Sequence, residues 1–225
     1  MYLTTEAAPG SLRRPIPRPA LAHPAPARRS ATTPRAEVRV RVANSAHERE
    51  AAFRLRYRVY VQELGYRQAH ADHVRRVVEE PLDATAEVFV AYADNEVVGT
   101  VRSNMGDSGD FGGVAGRYGM VQLGAHYPRR VALTAKLIID PHYRNGRVFH
   151  ELAHAVFRPG ILRGMVADFI DCEPRLVPIY SRLGYRPASD RPFEHPELGL
   201  RVSMRLLADR ESLQSVRSPF LRNVR

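Results

Sequence analysis

Residues 37–44, Glu-Val-Arg-Val-Arg-Val-Ala-Asn, alternate polar and apolar side chains, the period of a half-buried strand. The period then changes. From Ser45 to Leu64, the residues Phe53, Tyr57, Tyr60 and Leu64 recur at steps of four, three and four, which is one buried helical face with Ser45 as its N-cap. Two more strand-like runs, 87–93 and 96–103, flank Asp94-Asn95 and predict a hairpin. The glycine-rich stretch 106–124 reads as a mobile loop, and 130–140 as a buried strand closed by Asp140-Pro141. A helix is expected over 148–157, then a strand at 165–172. Residues 174–185 start with proline and stop at glycine, as short helices do, and 198–207 supply a last strand. This order predicts an α/β fold: a mixed central sheet with helices on both faces. No internal repeat is present.

Composition changes the picture at the two ends. The net charge of +10 points first to nucleic acid, but residues 1–36 hold six arginines against Glu6, giving +5, and residues 209–225 add +2. About +3 is left for 37–208, too little for a large phosphate-binding face, so nucleic acid is not the expected partner. Seven of the 17 prolines fall in the first 35 residues, which predicts a disordered tail over 1–36, a folded domain over 37–208 and a basic C-terminal tail over 209–225. The N-terminal arginines and serines resemble a transit peptide in composition, without the apolar core of a signal peptide. The single cysteine, Cys172, excludes an internal disulfide framework, and no run approaches the ~18 apolar residues of a membrane span. A cytoplasmic protein is the expectation.

His150-Glu-Leu-Ala-His154 matches a zinc signature, in which two histidines one turn apart share a metal and the glutamate activates its water. The extended form of that motif fails, because Phe157 stands in place of its glycine and Gly160 in place of its third histidine. Glu173, Glu194 and His195 are the remaining distant candidates for a third ligand. A zinc metalloprotease is thus an alternative reading, and the expected metal content is none.

Four other patterns, in order, resemble the GNAT acyltransferases, in particular the branch of acyl-homoserine-lactone synthases and long-chain N-acyl amino acid synthases. In FRLRYRVYVQELGY (53–66), an arginine is followed by aromatics four and ten residues later: Arg56, Tyr60 and Tyr66. Leu82-Asp83 followed by Gly-Thr-Val-Arg102 is similar to the acid and strand arginine that frame the acceptor pocket of that branch. AKLIIDPHYRNGR (135–147) resembles the strand and turn that hold the donor's pantetheine arm and phosphate. DCEPRLVPIYSRLGYR (171–186) resembles the closing strand and helix, with Tyr180 at the position of the tyrosine that protonates the departing thiolate.

The resemblance implies a GNAT-like fold and an N-acyltransferase moving a fatty or polyketide acyl group from a phosphopantetheine thioester to the amine of an amino acid, small amine or peptide. No permanently bound cofactor is implied. Tyr180 and Asp83 are the implied catalytic residues, and Arg56, Tyr60, Tyr66, Arg102 and Lys136 the implied substrate-binding ones. Leu137, Ile138, Ile139, Arg144, Asn145, Gly146 and Arg147 would hold the donor. The phosphate turn departs from the usual pattern, since Arg147 and Phe149 occupy its small-residue positions and Phe149 would obstruct a CoA pyrophosphate. That departure favours an acyl carrier protein (acyl-ACP) as donor and partner; a short-chain acetyltransferase using acetyl-CoA is the nearest alternative. Lys136 is the only lysine beside 33 arginines, and Leu133 stands where the lactone synthases have a glutamate.

Overall fold

The computed structural model describes residues 37–109, 111–144 and 146–224, so the expected N-terminal tail and Asn145 lie outside the described residues. Strand β1 (Arg39–Val42) leads to helix α1 (Ala46–Tyr57), which begins where the sequence places it. Ser45 Oγ accepts the Glu48 amide at 3.2 Å and the Glu48 carboxylate accepts the Ser45 amide at 3.1 Å, a reciprocal capping box. The helix continues as a π-turn over Arg58–Glu63, whose wider winding turns Tyr60 and Leu64 toward the later cavity.

Short strands β2 (Ala71–Asp72) and β3 (Val77–Val78) pair with each other, and then come β4 (Glu87–Ala93) and β5 (Glu96–Met105). Asp94 and Asn95 both have positive φ, the two-residue turn that matches strand twist. The glycine-rich stretch is not a free loop. It forms α2 (Val114–Arg117) and a 3₁₀ segment at Met120–His126. Phe111, Tyr118 and Met120 from this stretch are buried against Val131, Leu133 and Phe169, and those apolar anchors outweigh the entropy of the glycines around them.

Strand β6 (Val131–Ile139), helix α3 (Arg147–Leu162), β7 (Ala167–Cys172) and α4 (Val177–Leu183) follow the predicted order. Helix α3 runs five residues past the expected stop at Phe157, through Pro159. A proline so near the C-terminal end removes one hydrogen bond, while Phe157 and Gly160 gain burial. The chain closes with β8 (Arg186–Pro187), β9 (Phe193–His195), β10 (Gly199–Leu207) and α5 (Arg210–Ser215). Residues 209–224, expected as a basic tail, fold back instead: Leu213 and Phe220 are buried in the core with Leu183 and Leu206.

The eight-stranded sheet runs β1-β4-β5-β6-β7-β10-β8, with β9 paired to β10, and among the described residues β6-β7 is its one parallel pair. Strand alternation assigns its two faces. Val88 and Val90 of β4 meet Ala52 and Phe53 of α1, whereas Phe89 and Ala91 meet Val148 and Leu152 of α3. Gly99 lets α3 come close to β5, because a Cβ there would sit 2.8 Å from Val148 Cγ1. Among the described residues no helix is long and apolar enough to cross a membrane.

Candidate active site

Parallel strands β6 and β7 pair only as far as Leu133–Phe169. Beyond that point they separate, and a cavity of about 710 Å³ fills the gap, lined by 133–139 on one side and by 168 and 170–173 on the other. The volume is that of a small-molecule site. A β-bulge in β6 shapes it: Lys136 takes φ 56, and Lys136 with Leu137 faces the single residue Val101 of β5. Sidedness along β6 therefore reverses. Ala132 packs with Phe157 of α3, while Ile138, also an even position, packs with Leu55 and Val59 on the α1 side.

On the α1 side the cavity is charged. Lys136 Nζ lies 2.5 Å from Glu80 Oε1 and 5.3 Å from the centre of the Tyr60 ring, and Arg102 Nη1 donates to Glu80 Oε2 at 2.7 Å. Behind them, Arg56 Nη1 donates to Asp83 Oδ2 at 2.7 Å, with both side chains fully buried. The same Asp83 oxygen accepts the Glu80 amide at 2.7 Å, so Asp83 fixes the backbone that carries Glu80. Burial pushes the Glu80 carboxyl up, but the Lys136 ammonium and the Arg102 guanidinium outweigh it and bring it down to about 2.

That depression has a measurable consequence. The folded value lies below the ordinary 4.5, so Glu80 adds stability that is fully present above about pH 4.5 and is lost as pH falls through about 2. The difference in Tm between the native chain and Glu80→Gln should be constant near neutrality and shrink toward zero in strong acid. A difference that does not change with pH would mean that the pair is not formed.

On the α3 and α4 side the cavity is apolar, walled by Phe149, Ala153 and Phe157 of α3, Ile170 and Cys172 of β7, and Leu183 of α4. Tyr180 stands among them, its ring edge-on to Phe149 at 5.6 Å and to Tyr185 at 5.8 Å. Burial raises the pKa of its phenol above the ordinary tyrosine value, so the group stays protonated through the physiological range. Burial also pushes the Cys172 thiol up to about 11, and its sulfur lies 3.5 Å from Met204 Sδ, as suits a packing residue rather than a nucleophile. At the junction of the strands, burial raises Asp168 to about 6 while the Tyr185 hydroxyl, which donates to it, pulls the other way.

The structure gathers most of the residues singled out by sequence. Tyr60, Arg102, Lys136 and Tyr180 line the cavity, as do Leu137, Ile138 and Ile139 of β6 and Arg144 and Gly146 of the turn before α3. Arg144 holds Glu63 through two bonds of 2.6 and 2.7 Å, tying that turn to the π-turn after α1. Arg56, Asp83, Tyr66 and Arg147 do not line it. Asp83 lies behind the wall, and the acid of this turn that lines the cavity is Glu80, which sequence reasoning missed although it stands three residues earlier. Asp168, Tyr185 and Phe220 were also missed, because each reaches the cavity only through long-range packing.

The His-Glu-x-x-His segment lies in α3. Leu152 and Val156 face the sheet, His150 lines the cavity and His154 is edge-on to Phe220 at 5.0 Å. Among the described residues, no group of three His, Cys, Asp or Glu side chains is placed to hold a metal ion.

Comparison with known proteins bears on this site. The sequence model of the N-acyl amino acid synthase FeeM matches residues 51–207, which is most of the chain. No curated protein matches in sequence. Among solved structures, FeeM from uncultured soil microbes superposes with a TM-score of 0.60 at 16% identity, covering 76% of this chain and 90% of its own. The acyl-homoserine lactone synthase LasI gives 0.61 at 12% identity, covering 80% and 95%, and the CoA-dependent acyl-homoserine lactone synthase BjaI gives 0.59 at 15%, covering 81% and 90%. At these identities the structures establish the GNAT-like fold, and the sequence match establishes the family: this chain belongs to the FeeM family of N-acyl amino acid synthases and is an acyltransferase.

Proposed function

We propose that the protein joins a long acyl group, delivered as a phosphopantetheine thioester on acyl-ACP, to the amine of a free amino acid. The observation that carries the acceptor half is the Lys136–Glu80 pair at 2.5 Å in the cavity wall. An α-amino acid is itself a carboxylate beside an ammonium, so it can exchange with this internal pair, its carboxylate meeting Lys136 and its ammonium Glu80. The apolar wall opposite suits the acyl chain.

In this reading the thioester lies along β6, where the amides past Thr134 that do not pair with β5 are free of β7 and polarise the carbonyl oxygen. The amine, once neutral, attacks the carbonyl carbon. The C–N bond forms, the C–S bond breaks, the oxyanion is held by backbone N–H groups, and Tyr180 gives its proton to the departing thiolate. Glu80, held near 2, is too weak a base to take the amine's proton, which leaves through water; Glu80 orients the acceptor instead. Asp83, expected to do this work, serves as the anchor behind Glu80.

Phe149 supports the carrier-protein donor. It stands at the small-residue position of the phosphate turn and lines the cavity, packed on Tyr180, where a CoA pyrophosphate needs close backbone approach. Arg144 and Arg147 stand at the phosphate turn after β6, where an acidic carrier would dock, although Arg144 is shared with Glu63; Arg129 and Arg130 stand at the opposite end of the strand. Free-thiol release tests both halves. Release should be faster from acyl-ACP than from the matching acyl-CoA, should weaken with salt, and should require amino acids over the same amines lacking the carboxylate. Lys136→Met should raise the KM for the amino acid on the order of tenfold or more. Equal use of both donors, insensitive to salt, would move the donor to CoA. A KM unaffected by Lys136→Met would remove the acceptor assignment.

A further inference from the structure

We propose that the segment after β10 sets the length of acyl chain the enzyme accepts, with Phe220 as the floor of the apolar pouch. This rests on reading that pouch as the acyl site. The family match ends at residue 207, so this floor is supplied by chain that the family pattern does not describe.

Three observations converge. Phe220 lines the cavity yet is only 1% exposed, as expected of a ring that closes a cavity from within. It stacks on Phe157 at 4.2 Å with an interplanar angle of 10°, and the His154 ring meets its edge at 5.0 Å, so it is held in one orientation. The segment itself is anchored. Leu213 is fully buried against the turn at Gly184, and Ser218 Oγ donates to the Leu183 carbonyl at 2.5 Å while accepting the Phe220 amide at 3.2 Å. A chain entering from the Tyr180 side and passing Ile170 and Leu183 meets a rigid aromatic wall rather than a movable loop. Interiors packed this tightly tolerate little extra volume, so a methylene beyond the floor has nowhere to go.

The test is a chain-length profile: kcat/KM over saturated acyl donors from eight to eighteen carbons, for the native chain, Phe220→Ala, Phe220→Trp and Leu213→Ala. Leu213 is buried in the same segment but does not line the cavity. Burial of two further methylenes is worth on the order of a tenfold gain, so Phe220→Ala should raise activity on a donor two carbons beyond the native optimum about tenfold relative to the optimum itself. Phe220→Trp should shift the profile the other way, and Leu213→Ala should lower Tm without shifting it. A Phe220→Ala profile superposable on the native one, or an equal shift from Leu213→Ala, overturns the proposal; if Phe220→Ala does not fold, Phe220→Leu is read in its place. If the native chain releases thiol from none of these donors, the long-chain reading itself has failed. Direct calorimetric binding of acyl-pantetheines of the same chain lengths, which carry no pyrophosphate, to native and Phe220→Ala protein then decides the floor alone, an unchanged length dependence of affinity counting against it.

Discussion

Replacing Asp83 with alanine should lower stability by about 3–5 kcal/mol, the cost of leaving a fully buried charge without its partner. Arg56 is completely enclosed, and its Nη1 has Asp83 Oδ2 at 2.7 Å. Arg56 Nε and Nη2 already lack hydrogen-bond partners, so loss of Asp83 leaves only the Phe53 ring, 4.9 Å from the guanidinium carbon, to offset its lost hydration. For a domain of this size the change corresponds to a fall in Tm of roughly 10 °C, measurable by thermal denaturation. The paired replacement Arg56→Met with Asp83→Leu should recover most of that loss, since it removes both charges together. A single variant as stable as the native chain would mean that the buried pair is absent. Because Asp83 also accepts the Glu80 amide, the single variant should lose acceptor orientation along with stability.

Tyr180→Phe should reduce kcat by on the order of a hundredfold or more, with donor affinity changed less than about twofold. The ring's contacts with Phe149 and Tyr185 survive the substitution, so folding is not the variable. What disappears is a proton donor whose burial keeps it un-ionised, placed in the cavity wall opposite the charged α1 side. Stopped-flow thiol release with the donor prebound separates chemistry from binding. An unchanged single-turnover rate would reduce Tyr180 to a packing residue.

Sequence periodicity settled the order of the main elements, because the burial that selects a helix or strand is written in spacings of 3.6 and 2. The Ser45 cap, the Asp94-Asn95 turn and the stop of α4 at Gly184 are decided within four residues of chain, so they too were readable. The resemblance patterns picked out Tyr60, Arg102, Lys136 and Tyr180, and these four line one cavity. Tertiary structure alone decided the rest. Lys136 occupies a left-handed bulge that glycine would normally mark, so no local signal announced that β6 reverses its faces there. The choice of Glu80 over Asp83 as the cavity-facing acid depends on which carboxylate Arg56 captures, a partner 27 residues away. Charge counting took the C-terminal segment for a tail, because Leu213 and Phe220 show their value only once α3, α4 and β10 have formed the surface that buries them. Local geometry follows from neighbours in sequence, whereas a cavity wall is assembled from side chains whose contacts exist only after the sheet has closed around them.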